Sequence, residues 1–110
     1  MYETTIKEIT KEIHNFALDR NVFINKIVLF GSEALGEAKD FSDIDIIVVS
    51  KDFNQKSYSE RINKLLGLNR NLVKLTNRPF DILYYSDTEW DNSASPMIYE
   101  AKLHGRIVYS

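Results

Sequence analysis

"GSEALGEAKDFSDIDIIVV", residues 31–49, opens on a Gly-Ser pair behind the apolar run "KIVLF" and ends by carrying Asp43 and Asp45 into the mouth of a second apolar run. An unpaired carboxylate at the entrance of a buried strand is costly. In an extended strand alternate side chains share a face, so Asp43 and Asp45 point the same way while Ile44 turns into the core. Two steps of strand rise set their α-carbons roughly 6.5–7 Å apart. At that reach two carboxylates repel each other when left alone and converge on a hard cation when one is present. The Gly-Ser pair suits such a cation's usual company. Glycine at a strand end lets backbone approach a ligand closely, serine offers a hydroxyl, and a following helix N-terminus presents free N–H groups to phosphate. Phosphate beside two aspartates implies a metal-nucleotide site. Magnesium is the natural ion, because it binds through few carboxylates plus substrate phosphates.

Working outward, Ile6, Ile9, Ile13, Phe16 and Ala17 fall at helical spacing between Tyr2 and about Arg20, with Glu3, Lys7, Glu8, Lys11 and Glu12 on the other side, which predicts an amphipathic helix. "KIVLFGS", 26–32, reads as a buried strand closed by glycine, and "EALGEAK" as a short helix weakened by Gly36. "SDIDIIVVS", 42–50, alternates and then becomes continuously apolar, as in a central strand with one functional end. After the polar linker "KDFNQKS", Tyr58, Ile62, Leu65, Leu66, Leu72 and Val73 keep helical register despite Gly67. "RPFDILYYS", 78–86, is a third strand with proline at its entrance, and Tyr84 and Tyr85 alternate across it, one inward and one outward. "DTEWDNSA" reads as a loop in which Trp90 either faces a partner or folds back on the core. Ser95 and Pro96 then start a helix that ends at His104 and Gly105, before "RIVYS" as a last strand. The order is a layered α/β domain, with helices packed on a sheet.

The 110 residues, 44% of them hydrophobic, suffice for a single domain over 1–110 with one core. A net charge of −2 gives no general drive toward nucleic acid or anionic membrane. The lack of cysteine excludes a disulfide framework, thiolate zinc and a cysteine nucleophile, and it fits a reducing cytosol. No apolar run approaches membrane-spanning length, and the N-terminus lacks the hydrophobic region of a signal peptide, so a cytoplasmic protein is the default. Arg61, Lys64, Arg70, Lys74 and Arg78 scatter in helical angle, with Glu60 among them, and read as a solvated face rather than a nucleic-acid stripe. His14 and His104 have no ligand spacing around them and read as surface or helix-end residues.

Phosphoryl chemistry with two metal ions calls for a further carboxylate at the attacking oxygen. Asp81, at the start of "FDILYYS", is the best candidate, because Asp52, Asp87 and Asp91 sit in polar stretches where solvation accounts for them.

"GSEALGEAKDFSDID" resembles the Gly-Ser, ten residues, Asp-x-Asp signature of the minimal nucleotidyltransferase domains of the DNA polymerase β superfamily. With "VLFGS", "SDIDIIV" and "FDILYY" in their strand contexts, the resemblance covers nearly the whole chain. It implies an α/β (α+β) nucleotidyltransferase fold, a mixed sheet with helices packed on it. It also implies that Gly31 and Ser32 hold a nucleoside triphosphate, ATP above all, and that Asp43, Asp45 and Asp81 ligate two Mg2+ ions, Asp81 also assisting the incoming hydroxyl. The reaction implied is attack of a hydroxyl on the α-phosphate, with transfer of AMP and release of pyrophosphate. Short members of this kind pair with a helical HEPN-domain protein, as antitoxins that add AMP to a tyrosine of an HEPN ribonuclease toxin. No HEPN ribonuclease motif, Arg-x(4 to 6)-His, occurs here, so this chain would be the antitoxin side.

Many relatives read Gly-Ser-Arg-x-Arg-Gly, whereas Glu33 and Leu35 stand at the arginine positions here. Glu33 brings the wrong sign toward a phosphate, and Lys26, Lys39, Arg78 and Lys102 are the candidate substitutes. The departure keeps two alternatives open. One is a non-catalytic module that masks its HEPN partner by contact. The other is transfer to a small molecule, in a pocket that a second copy of the chain, a homo-oligomer, would complete.

Overall fold

The computed structural model describes residues 3–31, 34 and 42–110. Ser32, Glu33, Leu35, Lys39 and the short helix expected over 33–39 lie outside the described residues. Helix α1 (Glu3–Leu18) leads into β1 (Lys26–Phe30), and β2 (Ile44–Val49) is followed by a 3-10 turn (Lys51–Phe53). Then come α2 (Tyr58–Lys64), α3 (Leu68–Thr76), β3 (Phe80–Tyr85), α4 (Asp87–Asp91), α5 (Pro96–His104) and β4 (Arg106–Tyr109).

The strands form one mixed sheet in the order β3-β2-β1-β4. β1 runs antiparallel to both β2 and β4, and β2 runs parallel to β3. One face carries Ile27, Leu29, Ile44, Ile46 and Val48 against Ile6, Ile9, Ile13 and Phe16 of α1, Phe53 of the turn, and Leu68 and Leu72 of α3. The other face sets Val28, Ile47 and Val49 against Trp90 of α4 and Ile98 and Ala101 of α5, with Phe30, Leu83 and Tyr85 packed alongside. β2 is therefore covered on both sides, which is why its sequence turns continuously apolar after Asp45. Tyr84 and Tyr85 do alternate across β3, but both pack, because the sheet has a helical layer on each face.

Three expectations need correction. The single helix over 58–75 is two, broken at Gly67, whose φ of +101° is a left-handed geometry that glycine adopts without strain. The stretch "DTEWDNSA" begins with a helix, started by a capping box in which Ser86 accepts from the Glu89 N–H and Glu89 accepts from the Ser86 N–H. Trp90 of that helix is buried against the sheet. Arg61 is no solvated cation, being only 8% exposed. Its Nη1 donates to the Tyr84 carbonyl at 3.0 Å and to Glu89 at 2.6 Å. Tyr58, one turn before it, accepts from the Tyr84 N–H at 3.0 Å, so α2 closes the outer edge of β3 by side-chain hydrogen bonds.

Candidate active site

The end of the sheet where β1 stops and β2 and β3 begin gathers the acidic residues. Asp45 lies opposite Phe30 across the antiparallel pair and opposite Asp81 across the parallel pair. Directly paired residues share a face, so both carboxylates project on the side that α4 and α5 cover further along. Asp43 precedes the first residue of β2, with Ile44 fully buried between it and Asp45. Gly31, just past the end of β1, has φ +70°, and a Cβ added there would overlap Oδ2 of Asp45. Glycine thus lets the backbone turn lie directly against the carboxylate.

The backbone around the acids is tied down. Ile44 N–H donates to the Pro79 carbonyl at 2.9 Å, locking the two strand entrances together. Arg78 donates through Nε and Nη2 to the Ser42 carbonyl, at 3.2 and 2.8 Å. Asn69 of α3 donates to the Phe80 carbonyl at 3.0 Å. Each of these bonds fixes a residue next to one of the aspartates. Arg78 and Asn69 are positioning residues that sequence reasoning missed in that role. Pro79, directly after Arg78, was the available signal that this segment is a fixed strand entrance rather than a free loop.

Among the described residues, none of Asp43, Asp45 and Asp81 has a hydrogen-bond donor or a cation paired with it. Burial pushes the Asp45 carboxyl above its ordinary 3.8, and the charges of Asp81 and then Asp43 add to the rise. Asp81 ranks ahead of Asp43, as its register opposite Asp45 explains. An all-oxygen set of mutually repelling carboxylates suits a hard divalent cation. Among the described residues no three acidic or histidine side chains already close into a metal cage.

Of the candidate substitute cations among the described residues, Lys26 and Lys102 have partners away from the carboxylates, and Arg78 holds the backbone beside Asp43. Lys26 pairs with Val49 at the opposite end of the sheet. Lys102 donates to Ser93 Oγ at 2.9 Å and lies 5.3 Å from the Trp90 ring centroid. Arg78 is engaged with Ser42. His104 is exposed at the end of α5 near Glu100, while His14 packs at a tilt against the Tyr109 ring, centroids 5.6 Å apart, its Nδ1 buried without a partner among the described residues. Neither belongs with the carboxylates.

Comparison with known proteins agrees with this fold. The family model described as a nucleotidyltransferase domain matches residues 5–107. Over 74 residues the chain is 39% identical to a Methanocaldococcus jannaschii protein named "Putative protein adenylyltransferase", an overlap covering 62% of this chain and 73% of that protein. A solved structure, of "a putative nucleotidyltransferase from Sulfolobus solfataricus", matches 94% of this chain and 78% of its own with a TM-score of 0.62 at 19% identity. A chain from a crystal structure of a toxin-antitoxin with AMP-PNP matches 91% of this chain and 72% of its own, with a TM-score of 0.60 at 22% identity. At these identities the two structures establish likeness of fold. No helix among the described residues is long and apolar enough to cross a membrane.

Proposed function

The chain belongs to the nucleotidyltransferase domain family, and on that premise we propose that it transfers AMP from ATP to a protein hydroxyl, acting as a magnesium-dependent adenylyltransferase. The observation that carries the proposal is the register pair Asp45–Asp81 with Gly31 turned against Asp45. It brings two strand-entrance carboxylates together with the turn suited to a phosphate.

Asp43, Asp45 and Asp81 would hold Mg2+, two ions in all, which when bound supply positive charge to the attacking and leaving oxygens. Gly31 gives the triphosphate room to approach, and Ser32 offers its hydroxyl to a phosphate oxygen. Asp81, exposed at the β3 edge, would orient an incoming hydroxyl and receive its proton. The bond formed joins the acceptor oxygen to the α-phosphorus, and the bond broken releases pyrophosphate. Arg78, through the Ser42 carbonyl, holds the approach to Asp43 in place.

The adenylyltransferase relative and the toxin-antitoxin neighbour support a protein acceptor. The acceptor proposed is a tyrosine of an HEPN-domain toxin, which the cytoplasmic chain would neutralise as its antitoxin. Incubation with α-labelled ATP, MgCl2 and an HEPN-domain protein is expected to label that protein, and Asp43→Asn or Asp45→Asn to abolish the label. Glu33 and Leu35, in place of phosphate-binding arginines, favour a second reading, masking of the partner by contact. Neutralisation that survives both substitutions without nucleotide would select it.

A further inference from the structure

Beside the carboxylates, a cavity of about 280 Å3 opens between the end of β1 and α5. Phe30 and Met97 flank it, Gly31 and Ala101 line it, and Glu100 and His104 stand at its polar margin. We propose that this cavity seats the nucleobase of the triphosphate substrate. The inference rests on the nucleotidyltransferase reading above and adds to it the part of the chain that grips the nucleoside.

Position comes first. Gly31 is at once a wall of the cavity and the backbone lying against Asp45, while Phe30 is the register partner of Asp45. A ligand whose phosphates meet the Gly31 turn therefore has the cavity as its immediate continuation on the β1 side. Asp81 lies on β3, two strand spacings or about 10 Å away on the other side of Asp45. Nucleotide and acceptor hydroxyl thus approach from different sides of the carboxylate row.

Chemistry decides which part of the nucleotide enters. An aromatic ring and a thioether make favourable flanks for a flat π-system. A phosphate is disfavoured there by the Glu100 carboxylate. A base is not, because every nucleobase carries at least one N–H donor on its Watson–Crick edge, and an ionised carboxylate only accepts. His104 Nε2 lies 3.9 Å from Glu100 Oε2, so donor and acceptor functions stand side by side, as on a base edge. Helix α5 adds a further indication, since it is apolar on most of its circumference. Ile98 and Ala101 are buried, yet Met97 remains 41% exposed at the cavity. A stacked ring would cover it.

Titration calorimetry at fixed MgCl2, comparing ATP with inorganic tripolyphosphate, separates base from phosphate. Met97→Asn and Glu100→Ala should each weaken ATP about tenfold and leave tripolyphosphate within twofold of wild type. Tyr99→Ala, exposed on the same helix but outside the cavity, should change neither. Wild-type ATP affinity in both cavity variants, or equal losses for ATP and tripolyphosphate, overturns the base seat while leaving the nucleotidyltransferase reading standing. If wild type binds neither ligand, both fall together. Met97 and Glu100 are exposed, so their substitutions leave the core intact, and a thermal melt of each variant verifies it.

Discussion

The two ends of the sheet are built on opposite principles. At the end where β2 and β3 finish, polar groups are paired. Ser50 N–H donates to Tyr85 O, Asn25 N–H to Val49 O, and Asn54 Nδ2 to Asp87, while Arg61 joins Tyr84 O to Glu89 inside a capping box. At the end where β2 and β3 begin, the backbone is equally well held, by Arg78, Asn69 and the Pro79 carbonyl, but Asp45 there lies opposite Asp81 and feels the like charges of Asp81 and Asp43. One end supplies stability. The other sets like charges beside one another where the proposed ligand would sit, and so gives some of it up.

The largest effect should come from breaking the satisfied end. Arg61→Ala leaves the Tyr84 carbonyl and a half-buried Glu89 without their partner and should cost about 3 kcal/mol in urea unfolding. A loss under about 1 kcal/mol would mean that this end does not carry the stability assigned to it. Next is Gly31→Ala, which combines a left-handed φ with overlap on Asp45 and should cost about 1–2 kcal/mol while weakening nucleotide binding.

The pH dependence of the two ends should have opposite sign. Burial alone would raise the Glu89 carboxyl, but the Ser86 N–H and Arg61 outweigh it and hold Glu89 below its ordinary 4.5. Its contribution is present above that value and is lost as pH falls through the lowered folded-state value. Solvent screening limits it to about 0.5–1 kcal/mol. Asp45 is held above 3.8, so its ionisation opposes folding at neutral pH, and the penalty is relieved as pH falls through the raised value toward 3.8. Comparing wild type with Glu89→Gln and Asp45→Asn across pH 3–7 should show the first variant losing its deficit, and the second its advantage, toward acid. The smallest effect is that advantage itself, about 0.5 kcal/mol at neutral pH for Asp45→Asn without metal.

The split between the two ends was only partly legible in the sequence. Asp43 and Asp45 could be placed together because two-residue spacing along extended chain is a local rule, although β2 itself begins only at Ile44. The pairing of Asp45 with Asp81 is not local, since it depends on the register of parallel strands joined through α2 and α3. The entrance position of Asp81 hinted at it without fixing it. Arg61 was obscured by its basic neighbours, although it falls between Tyr58 and Leu65 at the spacing of a packed face. Gly67 kept the apolar period running on both sides of a break, because the period records which residues face the core and not the backbone angles between them. Ser86 and Glu89 did carry a capping box, hidden inside a stretch polar enough to read as loop.

Unfolding wild type and Asp45→Asn with and without MgCl2 and ATP at neutral pH most directly tests the acidic end of the sheet. Wild type should start less stable and gain at least 2 kcal/mol at saturating ligand, whereas Asp45→Asn should start more stable and gain almost nothing. A ligand response in Asp45→Asn equal to that of wild type, together with lower stability in the absence of ligand, would contradict the claim that stability is given up at this end for a metal-nucleotide ligand.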